Sequence, residues 1–210
     1  RYLTGGQDTV GLRCPAHPVA LAVIEATGPM AAPSANRFGQ VSPTTAADVV
    51  GDIGDRLAPQ RDLVLDGGPC PVGVESTILD CTGDAPRVLR WGAVEVEEIE
   101  RVSGRRVSNG TSAVRAPGGL ASHYAPRAEV HLGDHPAPGD GFLALKQVPT
   151  PSGAVRLAEP EDTRAFAAVL YRSLRDADAL GLPAVWAQPP ADGSALAVAV
   201  GDRLHRASVR

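Results

Sequence analysis

Small hydroxyl and carboxamide side chains beside proline or glycine, together with a few arginines, carry most of the chemistry open to this 210-residue chain. The densest run is Ala31-Ala32-Pro33-Ser34-Ala35-Asn36-Arg37-Phe38-Gly39-Gln40-Val41-Ser42-Pro43-Thr44. Alternate residues of an extended segment share a face, so Ser34 and Asn36 project together. Ser42-Pro43 has the form of a helix N-cap followed by proline at the first helical position. Free N–H groups at a helix start favour phosphate. The plainer alternative has Ser34 and Asn36 closing a turn while Ser42 only caps. The second run is Asp66-Gly67-Gly68-Pro69-Cys70-Pro71-Val72-Gly73-Val74-Glu75-Ser76-Thr77. Its glycines admit close backbone approach to a ligand, or else it is an ordinary hairpin with an exposed acid at Glu75. Arg13 and Arg90 each end a strand-like run, where a guanidinium fork suits a carboxylate or phosphate. Taken singly, either also reads as a surface arginine. His17, before an apolar helix, reads as structural or capping, and Cys14, Cys70 and Cys81 as plain small residues.

Nucleophile elbow, Walker loop, GxGxxG and metal-ligand patterns do not occur in the sequence. The residue types instead suit binding of anions and carboxylates by backbone N–H groups and arginine forks. The three cysteines form no CxxC pair, which fits a reducing cytoplasm and no structural zinc. A net charge of −4 argues against a dedicated nucleic-acid binder, whose affinity rests on neutralising phosphates. Lys146 is the single lysine, so residues 1–120 offer none for phosphate chemistry. No apolar run is long enough for a membrane helix, and no membrane partner is expected. The chain opens on Arg1, its only methionine is Met30, and the first residues lack the apolar core of a signal peptide. We read this as a piece whose upstream part is missing.

The elements that must position these residues follow from pattern. Residues 1–110 alternate short strand-like and helical runs: strands at Thr9–Arg13, Met30–Ala32, Leu63–Leu65, Ser76–Asp80 and Arg87–Arg90, and helices at Val19–Ala26, Thr44–Val50 and Glu95–Val102. Residues 111–127 are small, polar and without period, as in a linker. Residues 128–210 then alternate again, with strands at Val130–Leu132, Phe142–Leu145 and Ala184–Ala187. Helices there run over Pro160–Leu180 and Gly193–Val209, and the pattern predicts a small parallel α/β unit.

Six short stretches in order resemble one family. Thr9-Val10-Gly11-Leu12-Arg13-Cys14-Pro15-Ala16-His17-Pro18 is similar to its T-V-x-x-R-x-P-x-H-P segment, Ala32-Pro33-Ser34-Ala35-Asn36 to A-P-S-A-N, and Ser42-Pro43-Thr44 to S-P-T. Leu65-Asp66-Gly67-Gly68, Gly73-Val74-Glu75-Ser76-Thr77 and Leu89-Arg90-Trp91-Gly92 resemble its L-D-G-G, G-x-E-S-T and L-R-x-G elements. The family is the YrdC-like threonylcarbamoyl-AMP synthases. Pro117-Gly118 followed by His123-Tyr124-Ala125-Pro126 resembles the linker of its longer, two-domain members, and residues 128–210 their extra domain. Where that linker often carries K-Y-R, this chain has Leu120-Ala121-Ser122.

The resemblance implies the C-terminal part of a YrdC-like twisted-sheet α/β domain, a linker and a Rossmann-like parallel α/β domain. It implies condensation of L-threonine, bicarbonate (or CO2) and ATP into threonylcarbamoyl-AMP and pyrophosphate, with Mg2+ on the triphosphate. Transfer of the product to a downstream tRNA-modifying transferase complex would follow. Thr9, Ser34, Ser42, Arg90 and Tyr124 match nucleotide-contacting positions, and Arg13, Ala32 and Ser76 threonine-contacting ones. Asn36 and Arg13 fall nearest the reacting groups; no residue matches a metal ligand. Tyr124 reaching the nucleotide would make the linker a lid. The upstream K-x-R motif and T-V-Y-G-L strand of the family do not occur here, so the chain alone is expected to be inactive or unstable. The competing reading is a non-catalytic RNA- or nucleotide-binding module with weak RNA contact.

Overall fold

The computed structural model describes residues 3–108, 110, 112–118 and 121–209. Its elements are helices α1 (Pro18–Thr27) and α2 (Ala46–Ile53), strands β1 (Ile78–Asp80) and β2 (Arg87–Arg90) and helix α3 (Val96–Ser103). They continue as β3 (Glu129–Leu132), β4 (Gly141–Leu143), β5 (Val155–Ala158), α4 (Thr163–Ala179), β6 (Ala184–Ala187) and α5 (Ala195–Ser208). Strands β1 and β2 pair antiparallel, with Ile78 opposite Arg90 and Asp80 opposite Arg87. The other four form one parallel sheet in the order β3-β6-β4-β5, against which α4 and α5 pack. The α/β class and the parallel second sheet agree with the sequence pattern.

Helix α4 starts where Asp162 accepts a hydrogen bond from the Ala165 amide, and α5 where Ser194 does the same for Ala197. Such caps are each worth about 1 kcal/mol. Phe166, Leu170, Tyr171, Leu174 and Ala177 make a buried stripe at helical spacing on α4, facing Leu196, Val200 and Leu204 of α5. This core extends to Val41 and Tyr124, with Val72 and Val74 at its margin. The hydrophobic cluster of the second sheet therefore runs into the loops of residues 41 and 72–74.

Several expectations are corrected. Ser42-Pro43 does not start a helix: the N-cap of α2 is Thr45, in a reciprocal capping box with Asp48. The Asp48 carboxylate gathers the Thr44 and Thr45 amides and the Thr44 hydroxyl, which fixes the start three residues further on. Thr9–Arg13, Met30–Ala32 and Leu63–Leu65 are not strands, because a strand needs a ladder partner and none stands beside them among the described residues. Their apolar side chains face outward, Leu12 being 89% and Leu63 82% exposed, and α1 buries no residue. Strand β1 begins at Ile78 rather than Ser76. Strand β5 was not expected, since Arg156 interrupts its apolar pattern. That side chain folds back to donate to the carbonyls of Ala144, Leu145, Val148 and Ala158.

Of the linker, Thr111, Gly119 and Leu120 lie outside the described residues. Elsewhere it is tied down. Arg115 exchanges two hydrogen bonds with the Gln7 carboxamide, of 2.7 and 3.1 Å. Ser112 donates to Asp80 at 2.6 Å. Asp80 is buried and also accepts from the Thr82 hydroxyl and amide. The Ser112 hydroxyl, then Thr82, and last Arg87 at 3.8 Å hold its carboxyl at about 2. A carboxyl depressed on folding stabilises the fold above its unfolded value near 4, and loses that contribution as pH falls through the folded value. Acid denaturation should therefore show a component between about pH 4 and 2 that Asp80→Asn flattens, measured by circular dichroism at fixed ionic strength.

Candidate ligand-binding site

At the open end of the β1–β2 pair three predicted residues meet. Arg13 Nη2 lies 2.9 Å from the Ser76 hydroxyl, and Arg90 Nη2 lies 3.4 Å from the same oxygen. Arg90 also donates through Nε to the Ser76 carbonyl and through Nη1 to the Pro117 carbonyl of the linker. Neither Arg13 nor Arg90 has a carboxylate within ion-pair distance among the described residues. Burial pushes the Arg90 guanidinium down, against the pull of nearby Glu75. Two guanidinium groups thus converge on one hydroxyl with no carboxylate in direct contact among the described residues, an arrangement that suits a carboxylate or phosphate.

Glycine permits the close approach of chain segments around this cluster. Gly92 lies so close to the Glu75–Thr77 backbone that a Cβ there would collide with the Thr77 nitrogen and come within 2.8 Å of the Glu75 carbonyl oxygen. Gly118, at φ +83°, makes room for the Tyr124 hydroxyl; a Cβ on it would strike that oxygen and stand 3.5 Å from Arg90 Nη1. Tyr124 thus reaches the same corner as Arg90.

Tyr124 arrives there in the left-handed region, at φ 63°, which costs a non-glycine residue about 1–2 kcal/mol. Tertiary contacts hold it: its ring stacks on Tyr171 of α4 at 5.6 Å, and the Arg203 guanidinium of α5 sits 5.6 Å from its centroid. It is 1% exposed. Its ring contacts protein on both sides in this conformation, and the hydroxyl is the part turned toward Arg90.

Behind Ser76 stands Glu75, whose burial and pairing overturn its reading as an exposed acid. Its carboxylate accepts from Ser42 Oγ at 2.7 Å, from the Tyr171 hydroxyl at 2.9 and 3.0 Å, and from Arg203 Nε at 2.9 Å. Burial alone would push the Glu75 carboxyl up, but the Ser42 hydroxyl and Arg203 outweigh it and hold it below the ordinary range. The Tyr171 hydroxyl is pushed well up by burial and by Glu75. Ser42, expected on phosphate, here spends its proton on Glu75. Nothing in the local sequence around Tyr171 or Arg203 signals this, since they lie 96 and 128 residues from Glu75.

The remaining expected residues stand apart. Asn36 donates from Nδ2 to the Gln40 carbonyl at 3.0 Å, and its buried Oδ1 has no hydrogen-bond partner among the described residues. That loop touches the linker through the Gln40–Ala125 bridge and the Gly39 carbonyl. Thr9, Ala32 and Ser34 form no hydrogen bond to the Arg13–Ser76–Arg90 cluster among the described residues. No group of three or more His, Cys, Asp or Glu suited to a metal ion occurs among the described residues, and no helix is long and apolar enough to cross a membrane.

The fold defines a two-part α/β protein in which an arginine and hydroxyl cluster is backed by a helix-covered parallel sheet. Residues 1–92 match the family model Sua5_yciO_yrdC, described as telomere recombination, and residues 94–209 match the threonylcarbamoyl-AMP synthase C-terminal domain. The chain is 34% identical to a threonylcarbamoyl-AMP synthase of Pyrococcus abyssi, over 99% of this chain and 66% of that protein. It is 44% identical to a threonylcarbamoyl-AMP synthase of Bacillus subtilis, over 62% of this chain and 38% of that one. The crystal structure of P. abyssi Sua5 complexed with L-threonine superposes with a TM-score of 0.81 at 33% identity, covering 98% of this chain and 65% of that one. The chain belongs to the Sua5/YrdC-like family, in its branch with the synthase C-terminal domain. It spans less than two thirds of the length of these relatives.

Proposed function

We propose that the protein carrying this chain is a threonylcarbamoyl-AMP synthase, a nucleotidyltransferase that joins L-threonine, bicarbonate or CO2 and ATP with release of pyrophosphate. The observation that supports it is the convergence of Arg13 and Arg90 on Ser76 with no carboxylate within ion-pair distance of either among the described residues. The relative solved with L-threonine adds the ligand class. In this reading Arg13 and Ser76 receive the threonine carboxylate, and Ala32 is a further threonine contact. Thr9, Ser34, Ser42, Arg90 and Tyr124 contact the nucleotide, and Asn36 lies near the reacting groups.

The chemistry asks for positioning and charge neutralisation more than for a strong base. The threonine amine, once deprotonated, adds to CO2 to give a carbamate. A carbamate oxygen then bonds to the α-phosphorus of ATP as the bond to the β-phosphate oxygen breaks, and pyrophosphate leaves. Guanidinium groups favour the phosphates and offer a cation no ligand, so a divalent metal would be held by the oxygens of the triphosphate itself. Delivery of the product to a tRNA-modifying transferase complex, in a cytoplasmic setting, completes the proposal.

The test is pyrophosphate release from ATP that depends on both threonine and bicarbonate, in the full protein and in residues 1–210 alone. Activity in the full protein with none in residues 1–210 supports a site completed by further chain. A folded full protein that is silent while binding RNA in a salt-sensitive way would favour the non-catalytic module. Arg13→Ala should raise the threonine KM by about 10- to 150-fold, the equivalent of a charged hydrogen bond worth about 1.5–3 kcal/mol. The ATP KM should change far less, as initial-rate kinetics would show.

A further inference from the structure

Glu75 precedes by one residue the hydroxyl on which Arg13 and Arg90 converge. Its carboxylate is gripped by Ser42, by Tyr171 of α4 and by Arg203 of α5. The same Arg203 donates through Nη2 to the Trp91 carbonyl at 2.9 Å, beside Gly92, which rests on the backbone of residues 75–77. Helices α4 and α5 therefore hold both chain segments from which the site is built. Arg203 is 1% exposed and Tyr171 equally buried, so this grip has little freedom to shift.

We propose that Glu75 is a positioning residue, and that Tyr171 and Arg203 act through it to fix Ser76 where, together with Arg13, it can receive a ligand carboxylate. The second sheet and its helices thus take part in amino-acid recognition without touching the amino acid. The inference rests on the threonine-binding reading above. Its physical basis is geometric: a carboxylate bound from three sides cannot rotate, so the backbone one residue on cannot tilt without breaking hydrogen bonds to a buried charge. A grip that served stability alone would leave the ligand geometry indifferent to one lost hydroxyl.

Tyr171→Phe removes a single hydroxyl and keeps the ring against Tyr124; Glu75→Gln keeps the shape and removes the charge. Both are made in the full protein, and near-ultraviolet circular dichroism confirms the fold. We expect the threonine KM to rise five- to tenfold in each variant, with a smaller change in the ATP KM. In Tyr171→Phe the acid-side rise of the threonine KM should also begin at a higher pH than in the parent, because Glu75 has lost a donor that favours its ionised form. A lower melting temperature with unchanged threonine KM and pH profile in both variants overturns the positioning role. A parent protein that neither releases pyrophosphate nor binds L-threonine by calorimetry overturns the underlying reading, and the role with it.

Discussion

Arg203→Ala should destabilise the chain by about 3–5 kcal/mol, the usual cost of removing one partner of a buried ion pair. The side chain is 1% exposed and that of Glu75 21%, so a charge left alone there is only partly hydrated. Alanine would leave the Glu75 carboxylate with only the Ser42 and Tyr171 hydroxyls, the Trp91 carbonyl without its donor, and a void under Tyr124. Urea titration followed by tryptophan fluorescence reads the loss. Adding Glu75→Gln to Arg203→Ala should recover part of it, since the unpaired charge is then gone. An additive double variant would mean that the two side chains do not act as a pair. The acid limb should change as well. The Glu75 carboxyl lies below its ordinary range in the folded chain. Its pairing therefore stabilises above the unfolded value near 4.3, and that contribution is lost as pH falls through the folded value. Arg203→Ala should shrink this dependence.

Gly73→Ala should be nearly as damaging, at about 2–5 kcal/mol, from overpacking and an unfavourable backbone region together. Gly73 sits at φ +84°, and a Cβ there would overlap the Ala167 carbonyl oxygen and stand 2.5 Å from the Cα of Ala168 in α4. Both obstacles are helix backbone, which cannot swing aside as a side chain would. The urea midpoint should fall sharply. Gly68→Ala, at a similar φ of +84° but with nothing within 4 Å of its Cβ, isolates the conformational part and should cost about 1–2 kcal/mol. Equal losses at the two glycines would deny the close approach of the residue-73 loop to α4.

The contrast between those two glycines shows what was legible in the sequence. That Asp66–Thr77 needs glycine could be read from its composition; which glycine touches another element could not, because Ala167 lies almost a hundred residues away. Helices α4 and α5 were readable because their stripes at Phe166, Leu170 and Leu174, and at Leu196, Val200 and Leu204, repeat within one segment. Thr9–Arg13 and Leu63–Leu65 carry strand-favouring residues and yet form no ladder among the described residues, because composition cannot supply a neighbour. Arg156 hid β5 by looking like an interruption, when its guanidinium folds back onto carbonyls of the preceding turn. At the site, motif order named Arg13, Ser76 and Arg90 separately, and the fold brings their side chains together. It did not single out Tyr171 and Arg203, and it left Glu75 open as an exposed acid, because a hydroxyl or acid on a loop looks the same whether it faces solvent or a helix from elsewhere in the chain.

The tie between Glu75 and Arg203 also constrains how such a chain can change over generations. A mutation to a short side chain at either position alone exposes its carrier to selection before a compensating change can arise. The two codons must therefore drift together or hardly at all. The same holds for recombination: a second half taken from another lineage works only if it brings a hydroxyl and a guanidinium to the places of Tyr171 and Arg203. The two halves are accordingly expected to be inherited as one unit.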